Sequence, residues 1–237
     1  MMKLRNWLIA TLLTVGSAAH ANDPVEFHNQ YKTKMYGFSI TVTNSLKKAE
    51  AGNYDLLFRF DSMLGSIVES SQIKWDASTE TVVPQHYVYK RRGLGKNRDA
   101  DLKFDWNAKT VLNQVQKTEW KMKLEPKVQD KLSYLLQLQH DFLEQDKSKF
   151  TYKIADGGSL KVYTFEKVGN ERLKTPLGEV DTIKIKRSRS NSDRTTYAWL
   201  APKYENLLVR LQQTEGKDSY TIDITNANVN GKSIQKF

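Results

Sequence analysis

Val180-Asp181-Thr182-Ile183-Lys184-Ile185-Lys186 sets Ile183 and Ile185 on one side of an extended chain and Lys184 and Lys186 on the other, because successive strand side chains point to opposite faces. One face of this strand is dry and the other wet. The same period recurs outward from it. Phe38, Ile40 and Val42 alternate with Ser39, Thr41 and Thr43, and Leu56, Phe58 and Phe60 alternate with Asp55, Arg59 and Asp61, with Leu57 breaking the pattern. Turn residues separate the runs: Asn107-Ala108-Lys109, Asp156-Gly157-Gly158, Ser190-Asn191-Ser192-Asp193 and Glu215-Gly216-Lys217-Asp218. Asn, Asp and Gly accept the positive φ angles of tight hairpins. Connections this short forbid parallel crossovers, so the C-terminal third reads as an antiparallel meander.

One segment departs from this period. From about Gln129 to Glu144, Leu132, Leu135, Leu136, Phe142 and Leu143 recur at helical spacing after Pro126 and Asp130, which predicts one amphipathic helix. Its polar side would carry Lys131, Gln137, Asp141 and Gln145, and its apolar side would cover the sheet or its open mouth. The expected fold is mainly β: a curved antiparallel sheet forming an open or half-closed barrel, with one helix packed on it.

The N-terminus has the three-part layout of a secretory signal peptide: Lys3 and Arg5, an apolar run from Trp7 to Val15, then small residues ending in Ala19-His20-Ala21. The run is about half of the ~20 residues that cross a bilayer. The expectation is export to the periplasm with cleavage after Ala21, residues 1–21 being the signal peptide and 22–237 a single β-rich domain. The chain has no cysteine, which excludes disulfides, thiolate metal sites, a cysteine nucleophile and the lipid-attachment residue of a lipoprotein. Lys and Arg number 37 against 27 Asp and Glu, a net charge of +10 that falls to +8 without Lys3 and Arg5. In a periplasm this charge points to anionic membrane surfaces or acidic partners and away from nucleic acid.

No motif announces a reaction. His28, His86 and His140 lie far apart without metal-ligand spacing, G-x-S-x-G is absent, and Gly93-Leu94-Gly95-Lys96 lacks the full phosphate-loop spacing and its hydroxyl residue. Asp99 with Asp101 is an acid pair of the kind any charged chain contains. No catalytic residue, metal or cofactor is therefore expected. Aromatic pairs remain. Tyr87 with Tyr89, Phe104 with Trp106, Tyr163 with Phe165 and Tyr197 with Trp199 each stand two residues apart and share a strand face. They form either a packed core or the lining of a cavity suited to an amphipathic ligand. Two basic clusters, Lys90 to Arg98 and Lys184 to Arg189, sit beside turns. Within them Arg91, Arg92, Lys184, Lys186 and Arg187 are the candidates for contact with an anionic surface.

Thr175-Pro176-Leu177-Gly178-Glu179-Val180-Asp181-Thr182, the run from Asp193 to Pro202, Leu207-Leu208-Val209-Arg210-Leu211, Phe104-Asp105-Trp106 and Ala155-Asp156-Gly157-Gly158 together resemble exported bacterial proteins of the domain of unknown function 3108 family. The resemblance spans nearly the whole mature chain. Family members usually carry Pro where this chain has Leu208, a departure that bears on local strand geometry. The resemblance implies a curved antiparallel sheet similar to the open barrels of periplasmic lipid carriers, and brings no catalytic residues with it. The expected function is non-enzymatic binding of an amphipathic or lipid-like molecule in the envelope. The alternatives are an envelope protein-protein module with a solid core and, less favoured, a hydrolase of an envelope polymer.

Overall fold

The computed structural model describes residues 23–35, 37–93, 95–188, 194–216 and 218–237. The expected signal peptide with its cleavage after Ala21, and the expected turn at Ser190 to Asp193, lie outside the described residues. Within them the chain runs through β1 (Phe27–Met35), β2 (Phe38–Lys48), β3 (Asn53–Ser62), β4 (Gly65–Asp76), β5 (Thr81–Gly93), β6 (Arg98–Asp105), β7 (Thr110–Val115) and β8 (Thr118–Lys123). The helix α1 (Ser133–Glu144) follows. The second half comprises β9 (Lys149–Asp156), β10 (Ser159–Thr175), β11 (Gly178–Ser188), β12 (Thr195–Ala201), β13 (Leu207–Glu215), β14 (Asp218–Val229) and the short β15 (Lys232–Ile234).

These strands make one antiparallel sheet in the order β8-β7-β6-β5-β4-β3-β2-β1-β14-β13-β12-β11-β10-β9, with β15 added on β14. Two sequential meanders therefore meet at the β1–β14 pair, where Phe27 faces Val229. Register shifts at Gln30/Tyr31, Gln72/Ile73, Lys167/Gly169 and Trp199/Leu200 bend the strands, since bulges increase local twist. The sheet curls without closing, and β8 and β9 are its edges.

The gap between those edges is filled by the chain that joins them. Leu124 donates its N–H to Lys109, Gln129 donates to Lys153 O at 2.9 Å, and Ala155 donates to Gln129 O at 2.8 Å, a parallel bridge onto β9. Asp130 then organises the start of α1. Its Oδ1 accepts from the N–H groups of Leu132 and Ser133, both at 2.7 Å, while Ser133 Oγ accepts from Asp130 N–H. This reciprocal arrangement satisfies donors that a helix start leaves unpaired. The helix accordingly begins at Ser133 and not at Gln129 as the periodicity suggested.

The helix lies inside the curl. Leu132 and Leu136 join the inward residues Leu56, Ile73, Tyr87 and Leu102 in one core cluster. Tyr134, Leu138 and Phe142 join Ile154, Phe165, Ile185 and Leu200 in another. Burying each of these large side chains stabilises the fold by about 2 kcal/mol. A third cluster sets Leu173 and Val180, from the β10–β11 hairpin, against Trp199 and Ile224.

The expected wet side of the helix is only partly wet: Gln137 and Asp141 are buried, and the expected apolar Leu143 is 41% exposed. The reason is the start of β5, which pairs with β4 on one side but has no strand on the other, since pairing with β6 starts at His86. Unpaired buried backbone groups are costly, and side chains serve them here. Val82 N–H donates to Gln137 Oε1 at 2.7 Å, and Gln129 Nε2 donates to Val82 O at 2.7 Å. Asp141 accepts from Gln137 Nε2, Gln145 Nε2 and Tyr152 OH, completing the network.

Candidate functional site: a cationic recess inside the curl

Register decides which side chains meet. On the concave face Arg91 of β5 lies directly opposite Arg98 of β6, Tyr89 opposite Ala100, and Tyr87 opposite Leu102. On the other flank of β5, Glu69 of β4 faces Tyr89 and Ser71 faces Tyr87. The β9–β10 turn brings Asp156 and Gly157 over this patch from the far edge of the sheet, and Lys161 and Lys131 complete a recess of about 200 Å³.

The charges in the recess are uneven. Lys161 pairs with Asp156, and Lys131 stands 5.1 Å above the Tyr89 ring. Arg91 donates from Nε and Nη2 to Lys96 O at 3.0 and 2.7 Å, a contact that holds the guanidinium without neutralising it. Arg98 forms no ion pair among the described residues. Like charges directly opposite across a strand pair are unfavourable. The contrast on the convex face is instructive: Arg92, one residue away, makes a two-point contact with Asp99 at 2.6 and 3.0 Å.

Behind the wall lie two carboxyl groups. Burial holds Glu69 above the usual carboxylate range, while Lys131 and the Tyr87 hydroxyl that donates to it pull the other way. Asp130 is likewise raised by burial despite its bonds from Ser71, Leu132 and Ser133. The Tyr87 hydroxyl is pushed far above its usual range by burial and by Glu69. These groups are committed to one another, so the arrangement can bind an anion but presents no unengaged acid-base pair.

Tyr87, Tyr89 and Arg91 are thus brought together. The other candidates are dispersed. Phe104 is buried in the core and stacks on Trp106 at 6.3 Å; Trp106 lies in the turn after β6 and not in a strand, donating from Nε1 to Pro84 O at 2.7 Å. Tyr163 and Phe165 abut Tyr134 of α1 at 5.8 and 5.4 Å. Arg187 stands over Tyr163 and donates to Thr196 Oγ1; with Phe165 it lines an apolar cavity of about 60 Å³ against α1.

Tyr197 and Trp199 share a face as expected, but it is the face opposite Thr196 and Arg187. Lys186 pairs in register with Tyr197, and Lys184 stands 4.8 Å from the Trp199 ring centre. Trp199 Nε1 donates to Glu171 at 3.0 Å, which with Lys184 holds that carboxyl below its usual range. The eight aromatics therefore line no common cavity. Arg98, Lys131 and Lys161 were missed. Arg98 stands within the basic cluster from Lys90 to Arg98, but its place opposite Arg91 is set by strand register.

A strongly curled antiparallel sheet around one helix, with a polar recess on its concave side, is the class of protein defined by this geometry. The sequence pattern of the family described as protein of unknown function DUF3108 matches residues 38–225, and the chain belongs to that family. No curated protein matches it. Among solved structures it is similar to the beta-barrel-like protein of domain of unknown function DUF1849 from Brucella abortus, with a TM-score of 0.56 and 10% identity over 86% of this chain and 98% of that one. That likeness bears on the fold alone.

Proposed function

We propose that this chain is a non-enzymatic binding protein of the bacterial envelope whose recess takes the anionic head of an amphipathic molecule. The observation that carries the reading is the pair Arg91 and Arg98, opposite one another in register, both lining the recess and neither in an ion pair among the described residues. An anion placed there removes their repulsion, and paired guanidiniums suit the oxygens of a phosphate or carboxylate. Tyr89 and Lys131 add a ring and a third cation at the rim. The signal-peptide layout of residues 3–21 supports an envelope location.

The volumes narrow the reading. A recess of about 200 Å³ suits a head group, and the apolar space beside α1 is about 60 Å³, far below the roughly 300–1,000 Å³ of sites that enclose a drug-sized ligand. Head-group recognition with the apolar tail outside is the form proposed, in place of a whole lipid enclosed by aromatics. The test is native mass spectrometry of protein isolated gently from the periplasm of its own cells, followed by solvent extraction. A stoichiometric anionic amphiphile is expected, absent from Arg91→Ala/Arg98→Ala and retained by Lys184→Ala on the opposite face. A bare mass, or a bound species indifferent to both arginines, would refute the proposal.

A further inference from the structure

The turn between β3 and β4 is Met63-Leu64, with Ser62 facing Gly65 across it. Met63 is 89% exposed and Leu64 48%. Turn geometry does not call for either. Ser62 Oγ accepts from Leu64 N–H at 3.3 Å and donates to Gly65 O at 3.0 Å, and Gly65 takes the positive φ of 146°, so the two loop positions are open to the polar residues usual in turns. The other exposed large hydrophobics, Leu143, Val162 and Val168, stand singly in sequence, as is ordinary for a protein surface. Two adjacent ones at the tip of a hairpin are a different arrangement.

The tip is fixed among cations. Gly65 of β4 and Gly93 of β5 face one another in register, and a Cβ on either would overlap the backbone oxygen of Arg92 or of Leu64, so the β3–β4 and β5–β6 turns touch along their backbones. The β7–β8 turn is tied on next: Gln116 donates from its N–H to Asp99 O and from Nε2 to Asn97 O, both at 3.1 Å. Three hairpin tips thereby form one rim at the same end of the sheet. Lys96 and Lys117, both exposed, stand on the second and third tips and form no ion pair among the described residues. Beside the first two tips the acids are taken up, Asp61 by Arg59 and Asp99 by Arg92; Glu119 of β8 is the exposed acid beside the third.

An apolar pair flanked by lysines without acidic partners complements the surface of an anionic bilayer. There apolar side chains enter the boundary between head groups and acyl chains, and cations meet the phosphates. An acidic protein surface would engage the lysines but gives Met63 and Leu64 nothing to enter.

We propose that the rim formed by the β3–β4, β5–β6 and β7–β8 turns docks on an anionic phospholipid bilayer, with Met63 and Leu64 inserted and Lys96 and Lys117 against the head groups. Arg91, which lines the recess, lies two residues before Gly93, so docking brings the recess to a surface in which an amphipathic molecule keeps its tail. The inference rests on the envelope location proposed above and does not require the recess to be occupied.

The experiment is flotation of protein purified from the periplasm with vesicles of phosphatidylglycerol and phosphatidylcholine in equal parts, and with vesicles of phosphatidylcholine alone. Wild type is expected on the anionic vesicles and at least about tenfold weaker on the neutral ones, and Lys96→Glu/Lys117→Glu should weaken the anionic binding by a similar factor. Met63→Ser/Leu64→Ser should also weaken it at least about tenfold. The chain has no cysteine, so one environment-sensitive fluorophore on Met63→Cys reports insertion directly. Its emission should move to the blue with anionic vesicles, while the same label on Ala77→Cys, exposed in the β4–β5 turn at the other end of β4, should not respond. No binding to anionic vesicles, unchanged binding of Met63→Ser/Leu64→Ser, or equal responses from the two labels would overturn the docking surface. Native mass spectrometry of the same preparation separates the two readings. Wild type that floats yet has a bare mass refutes the recess and supports the docking surface; wild type that holds an amphiphile yet does not float does the reverse.

Discussion

Replacing Gly158 by Ala should strike the seam of the sheet. Gly157 and Gly158 form the two-residue turn between β9 and β10, with φ of 61° and 96°, the positive values such hairpin turns require. A Cβ on Gly158 would stand 2.1 Å from Trp120 Nε1 and 2.3 Å from Cε2 and Cζ2, so the β8 indole lies flat against the β9–β10 turn. Two costs add. The left-handed backbone conformation costs a non-glycine residue about 1–2 kcal/mol, and forcing the ring aside costs about 1–3 kcal/mol more. Only the first survives when the ring is gone. Urea unfolding followed by far-ultraviolet circular dichroism, on wild type, Gly158→Ala, Trp120→Ala and the double variant, gives the coupling energy. Gly158→Ala should cost about 2–5 kcal/mol in the native background and about 1–2 kcal/mol beside Trp120→Ala. Equal costs in both backgrounds would show that the indole does not hold the two edges together.

Two further outcomes follow from the buried polar groups. Glu69 and Asp130 are both held above their ordinary values by burial, so the folded chain retains protons that the unfolded chain has shed, and their contribution is largest below the ordinary carboxylate range and falls as pH rises through the raised values. Glu69→Gln/Asp130→Asn keeps acceptors for Tyr87 and for the Leu132 and Ser133 N–H groups, and the urea midpoint from about pH 4.5 upward should change less with pH than in wild type; an unaltered slope would count against buried carboxyls as its source. Gln137→Ala removes the acceptor for Val82 N–H and the donor to Glu80 O and should cost about 1–3 kcal/mol. Hydrogen exchange at Val82 should accelerate selectively, and undiminished protection there would refute the role given to Gln137.

Local period carried the strands. Ile40 and Val42 are buried, Leu56 is buried, and Ile183 and Ile185 face inward, all as alternation requires. The face shared by each in-strand aromatic pair was legible for the same reason. Which of the two faces is concave was not, because that depends on sheet curvature and on bulges such as Lys167/Gly169, where a skipped residue breaks the alternation without any mark in composition. The helix was legible as an apolar repeat, whereas the burial of Gln137 and Asp141 was not, since it answers backbone at Val82 that has β4 on one side and no strand on the other, remote in sequence. The recess shows both cases at once: Arg91 was recognised as basic and near a turn, but its role depends on the register with Arg98, on a β9–β10 turn arriving from the opposite edge, and on Lys131 before the helix.

The centre of the sheet is its latest possible event in chain order. β1 pairs with β2 as soon as both exist, yet its other flank is completed only by β14, with Phe27 against Val229. A chain delivered from its N-terminus therefore carries an open flank on β1 through the whole of delivery, an invitation to mispairing. Lys32 and Lys34, exposed in the finished strand, place positive charge along that flank and discourage a second copy from occupying it. The loop entropy of the delayed closure grows only slowly with length, so the burden falls on timing and on protection of the waiting strand more than on final stability. Rejoining the chain so that β14 runs directly into β1, with new ends in the exposed stretch at Asp146 and Lys147, would turn this last pairing into one between neighbours.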